Sequence, residues 1–122
     1  MNLISTIRTR MNRMIMPMLR FPKPFSFVGA GSSLSLCREI AGTGAKRLLL
    51  ITDGPLFKLG LVDPIVARLK DSGLTVEVYS DVMPDPGFEE VTAGVDKLKA
   101  FKADAVLAVG GGSSIDCAKV IL

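Results

Sequence analysis

The 122 residues contain no histidine and no tryptophan, one tyrosine and two cysteines. Without imidazole, histidine-based acid–base catalysis and imidazole metal ligation are excluded within the chain. Cys37 and Cys117 stand too far apart for a zinc ribbon and form no disulfide framework, a pattern that suits a reducing compartment and packed thiols. Acidic residues are missing before Glu39, so Arg8, Arg10, Arg13, Arg20, Lys23 and Arg38 give that stretch +6, while the rest carries nine basic against twelve acidic residues, or −3. A mildly acidic globular part with one tyrosine lacks the basic, aromatic-laced face of a nucleic-acid binder. No apolar run reaches the roughly 20 residues of a membrane-spanning helix, because arginines interrupt the first one. Low-complexity tracts are also absent. The 48% hydrophobic composition and the length describe one globular unit that is short for a two-domain enzyme.

In residues 1–24, Leu3, Ile4, Ile7, Met11, Met14, Ile15 and Met18 recur at helical spacing and predict an amphipathic helix from about Asn2 to Arg20, ended by Pro17, Pro22 and Pro24. Three roles fit it: packing on a neighbouring domain or subunit, weak contact with a membrane surface, or an organellar transit peptide. The last would place the protein in an organelle rather than the cytoplasm, the otherwise expected compartment. Residues 25–122 read as an α/β domain. Phe25 to Val28 is a candidate strand, Gly29-Ala30-Gly31 a turn, and Ser32 or Ser33 the cap of a helix closed by Gly42 and Gly44. Arg47 to Thr52 is apolar on both faces like a parallel strand under helices, and Asp53-Gly54-Pro55 breaks it. Asp63-Pro64 opens a helix that Gly73 ends, with Asp63 as the cap. Leu74 to Tyr79 is the next strand, Asp81 to Gly87 a loop, Phe88 to Lys102 a helix, Ala105 to Val109 a third strand, and Ser114 to Leu122 a helix that the chain end cuts.

This alternation predicts a Rossmann-like parallel sheet with helices on both faces, whose ligands gather at the carboxyl ends of the strands. Gly110-Gly111-Gly112-Ser113 follows a strand and opens a helix, where residues without side chains let a phosphate approach backbone N–H groups; the plainer alternative is a flexible turn. The spacing is neither that of a GxGxxG loop nor of a Walker A loop. Asp53 stands where a carboxylate can accept ribose hydroxyls and repel a 2′-phosphate, favouring NAD over NADP, or where an ordinary turn aspartate would stand. Asp85, between two prolines, reads first as a turn former and second as a cleft residue. Asp116, in the first turn of the last helix, suits the helix dipole and could shape the glycine loop by accepting its N–H groups; Lys119 reads as a solvated helix residue.

Gly110 to Lys119 resembles the GGGSxxDxAK signature of iron-containing alcohol dehydrogenases. Ile51-Thr52-Asp53, Lys58-Leu59-Gly60-Leu61 and Met83-Pro84-Asp85-Pro86 follow in the family order, so the resemblance covers about Phe27 to Leu122. It implies the cofactor-binding part of a two-domain enzyme that moves hydride reversibly between an alcohol and nicotinamide, with Fe²⁺ polarising the oxygen. It further implies that Gly111, Gly112 and Ser113 contact the pyrophosphate, Asp53 the adenosine ribose, and Asp85, where the family commonly has asparagine, the vicinity of the nucleotide. The family's metal ligands, an aspartate and three histidines, would lie beyond this chain, which is then expected to be inactive alone. The expected partner is a small alcohol or aldehyde, with a homodimer as a further option. Competing readings are a zinc-dependent relative of the glycerol dehydrogenase kind and a truncated, non-catalytic nucleotide-binding module.

Overall fold

The computed structural model describes residues 26–122; the amphipathic segment expected over Asn2 to Arg20 lies outside them. Three parallel strands, β1 (Arg47–Asp53), β2 (Thr75–Val82) and β3 (Ala105–Val109), form one sheet in the order β2-β1-β3. The helices are α1 (Ser32–Gly42), α2 (Gly54–Lys58), α3 (Asp63–Asp71), α4 (Phe88–Phe101) and α5 (Gly112–Ile121). None is long and apolar enough to cross a membrane.

β1 organises the domain. Leu48, Leu49, Leu50 and Ile51 are fully buried. Because successive strand side chains point to opposite faces, Leu48 and Leu50 pack with Cys37 of α1 and with Val62, Ile65 and Leu69 at α3, whereas Leu49 and Ile51 pack with Tyr79, Cys117, Ala118 and Ile121. Helices therefore cover both faces, as the strand composition predicts. Each of the leucine, isoleucine and valine side chains among them contributes about 1.5–3 kcal/mol relative to exposure. Burial pushes both thiols above the ordinary cysteine range, so Cys37 and Cys117 sit protonated in the core.

At the amino ends of the strands, Asp104 ties β3 to β1. Its N–H donates to the Arg47 carbonyl at 2.9 Å, and its carboxylate accepts from the Lys46 and Arg47 N–H groups at 3.0 and 2.9 Å. These bonds hold the carboxyl below the usual aspartate range. The Arg47 guanidinium donates to the Phe101 carbonyl at 2.6 Å and lies over the Phe101 ring, 4.6 Å from its centroid.

Several expected boundaries move. Ser26 to Val28 is irregular rather than a strand, and Val28 is 94% exposed; no neighbouring strand among the described residues supplies the bonds an extended segment needs. Neither Ser32 nor Ser33 caps α1. The helix begins at Ser32 itself, with Gly31 as N-cap at φ +77°, a left-handed conformation that glycine adopts without strain. Asp63 is the first residue of α3 rather than its cap, because its N–H already turns back to the Gly60 carbonyl. β2 runs on past Tyr79 to Val82, and α5 starts at Gly112, two residues before Ser114. The short α2 was hidden in what reads as a strand break: Asp53 caps it and Pro55 occupies its first turn.

Gly94 lets α4 approach α5 and the sheet, since a Cβ there would meet Ile121 Cγ1 at 3.0 Å and Tyr79 Cε1 at 3.3 Å. Gly94→Ala is expected to lower stability by about 1–3 kcal/mol in denaturant melts, overriding alanine's better helix propensity. For Asp104, a depressed folded pKa stabilises the fold above the ordinary aspartate value of about 4, and this is lost as pH falls through the folded value. Asp104→Asn should therefore flatten the drop in melting temperature between about pH 5 and pH 2; an unchanged acid slope would remove that role.

Candidate functional site

Parallel strands point one way, so the segments that follow them meet at one edge of the sheet. There, the end of β1 with α2, the end of β2, and the β3–α5 turn enclose a cleft of about 990 Å³, the size class that admits a cofactor. Asp53, Gly110, Gly111, Gly112 and Ser113 all line it. Pro55, Leu56 and Phe57 with Val82, Met83 and Pro84 make an apolar wall, and its charged residues are Asp53, Asp81 and Lys58.

Asp53 serves the fold and faces the cleft together. Its Oδ1 accepts the Leu56 N–H at 2.9 Å and caps α2, so the turn reading of this aspartate holds. Its Oδ2 lies 3.3 Å from where a Cβ on Gly110 would stand. The same hypothetical Cβ would come within 2.7 Å of Ser114 Oγ, and Gly110 has φ +145°. Protein neighbours and backbone alike therefore require glycine at 110.

Gly111 and Gly112 differ. Gly111 has φ −84° and ψ −166°, which any residue adopts, and Gly112 is the first residue of α5. A Cβ on either would meet nothing within 4 Å. The protein's own packing gives no reason for glycine at these positions, yet both stand on the cleft wall. Omitting both side chains bares the N-terminal N–H groups of a ten-residue helix that no side chain caps, an arrangement suited to an anion.

Asp85 and Asp116 stand apart from this centre. Asp85 is exposed, lies outside the cleft lining and has φ +56°, a left-handed conformation to which aspartate and asparagine are suited. Its position is that of a turn former. Because α5 starts early, Asp116 falls after its first turn; its carboxylate is exposed and pairs with Lys119 Nζ at 3.4 Å, and the expected bonds from the N–H groups of the glycine loop are not made. Lys119 is a solvated helix residue, as read.

Three features escaped the sequence reading. Ser114 is buried beside Gly110, although nothing in the run of serines separates it from Ser113. Lys58 reaches the cleft only because α2 exists. Asp81 lines it because β2 extends beyond Tyr79, and its charge, after burial, adds to the rise of the Tyr79 hydroxyl above the usual tyrosine range. That hydroxyl donates to the Glu90 carbonyl at 2.7 Å, anchoring α4.

No group of three or more histidine, cysteine, aspartate or glutamate side chains among the described residues could hold a metal, and residues 1–25 contain none of these types. A catalytic iron does not fit the residues of this chain.

Residues 24–122 match the family model for iron-containing alcohol dehydrogenase. The chain is 44% identical over 100 residues to long-chain-alcohol dehydrogenase 1 of Geobacillus thermodenitrificans, covering 82% of this chain and 25% of that protein. It is 34% identical over 104 residues to the NADPH-dependent butanol dehydrogenase of Clostridium saccharobutylicum, covering 85% and 26%. The crystal structure of NADH-dependent butanol dehydrogenase A from Thermotoga maritima superposes with a TM-score of 0.70 at 33% identity, covering 81% of this chain and 27% of that one. The chain thus spans about a quarter of the length of these relatives.

The glycines separate by experiment. Gly110→Ala is expected to cost about 1–3 kcal/mol of stability, through strain and contact with Ser114, while Gly112→Ala should leave stability within about 1 kcal/mol of the parent. Equal losses in denaturant titrations would contradict the assignment.

Proposed function

The chain belongs to the iron-containing alcohol dehydrogenase family, and on that premise we propose that its cleft binds NAD as the cofactor half of an enzyme interconverting alcohols and aldehydes or ketones. The observation that carries this reading is the pair Gly111 and Gly112, whose missing side chains serve no contact within the protein and open the N-terminus of α5 to an anion. The cofactor's pyrophosphate would lie against the N–H groups of Gly111, Gly112 and Ser113. Asp53, with one carboxylate oxygen engaged in the α2 cap, would offer the other to a ribose hydroxyl. The apolar wall of Leu56, Phe57 and Met83 would flank the purine base. Asp85, in a turn outside the cleft lining, and Asp116, exposed and paired with Lys119, are not among the residues this reading draws on.

Bound NAD would supply the hydride acceptor for alcohol oxidation. The work of this chain is to hold the dinucleotide by its phosphates and ribose, fixing where the nicotinamide ring can reach. The family's metal finds no ligand set on these residues, so they would not themselves supply the polarisation of the alcohol.

Calorimetric titration of the full chain with NAD tests the reading. Gly111→Val fills the open surface with a branched side chain that the backbone at this position accommodates. It is expected to weaken NAD binding by at least about tenfold, a loss of roughly 1.4 kcal/mol, with little change in melting temperature. Undiminished affinity in the valine variant would refute the phosphate cradle.

A further inference from the structure

β1 and β2 stay in step from Arg47 opposite Thr75 to Ile51 opposite Tyr79, and then the next pair is Asp53 opposite Val82. Two residues of advance on β1 are matched by three on β2. One residue in the Ser80–Asp81 pair is therefore extra, which is the count of a β-bulge, a feature rare between parallel strands and frequent beside functional sites. In unbroken register Asp81 would stand level with Asp53. The bulge moves Asp81 out of that pairing and leaves Ser80, Asp81 and Val82 all on the cleft wall.

The two carboxylates differ in what they already do. Asp53 is half-buried and caps α2, so replacing it disturbs α2 as well as the cleft. Asp81 is exposed, and among the described residues no hydrogen bond or ion pair occupies it. With Lys58, these aspartates leave the charged lining of the cleft at −1. A 2′-phosphate would bring further negative charge into that lining. Relatives named for NADH and for NADPH both match this chain, so discrimination at this phosphate is a property that differs within the family.

We propose that Asp81, presented by the bulge in β2, is a specificity-determining residue that accepts a hydrogen bond from the adenosine ribose and repels the 2′-phosphate of NADP. The proposal rests on the cleft being the NAD site. A free carboxylate at a strand end is the chemistry by which dinucleotide-binding sheets select the ribose diol, and Asp81 can exert it without the structural task that engages Asp53.

The test is calorimetric titration of the full chain, Asp81→Ser and Asp81→Glu with NAD and with NADP, at about 0.05 M and about 0.5 M salt. The ratio of the NADP to the NAD dissociation constant is expected to fall about tenfold in Asp81→Ser, mostly through tighter NADP binding, and to stay near the parent value in Asp81→Glu. The gain should shrink at the higher salt, because screening weakens the repulsion that the parent retains. A common change in both constants would mark Asp81 as merely structural and overturn the proposal, as would an unchanged ratio; either result leaves the cofactor reading intact if the parent binds NAD. Failure of the parent to bind either nucleotide would remove both.

Discussion

The rest of the domain depends on β1 being bonded along both edges and covered on both faces. Leu48 and Leu50 fill one side of the sheet while Leu49 and Ile51 fill the other, so neither layer of helices can leave without exposing two large side chains of the same strand. Since β2 and β3 both take their register from this strand, their carboxyl ends come level at one edge. Asp53 is where the buried strand emerges, and its place in the cleft is inherited from the core that fixes the four residues Leu48 to Ile51.

That inheritance explains why structural and ligand-directed roles overlap so closely around Asp53. One carboxylate oxygen holds α2, and through it Lys58 and the apolar wall; the other faces Gly110. Gly110 gives way to Asp53 and Ser114, whereas Gly111 and Gly112 give way to nothing in the protein. Adjacent glycines therefore differ: close packing inside the fold requires the first, while no contact within the protein requires the next two. The uncapped helix N-terminus beyond them offsets the negative charge that Asp53 and Asp81 bring to the same cleft.

A quarter of a relative's length suffices to build this cleft, because all its walls come from consecutive β–α units. A metal centre is different in kind. It needs several converging ligands, and a chain without histidine, whose acidic side chains form no cluster among the described residues, does not bring them together.

The sequence by itself determined what depends on one-dimensional pattern. Apolar runs bounded by Gly, Pro and Asp marked the three strands of an α/β sheet, and the glycine run after the third placed the strand-to-helix turn that lines the cleft. Asp53 was legible because it follows a strand, and the family was legible from the order of its motifs. Tertiary structure decided what depends on a partner strand or on where a helix begins. The bulge that brings Asp81 to the cleft is a mismatch between two strands and leaves no trace in either one alone. Asp85 and Asp116, plausible by proximity in sequence, stand outside the cleft lining, one in a left-handed turn conformation and the other beyond the first turn of a helix that starts early. Phe25 to Val28 has strand-like composition, but Ser26 to Val28 takes no strand conformation, because a strand is completed by a neighbour and none stands beside it among the described residues. Local pattern sets which face of an element is apolar; cross-strand register and helix starts set which polar groups meet, and that is settled only when the elements pack.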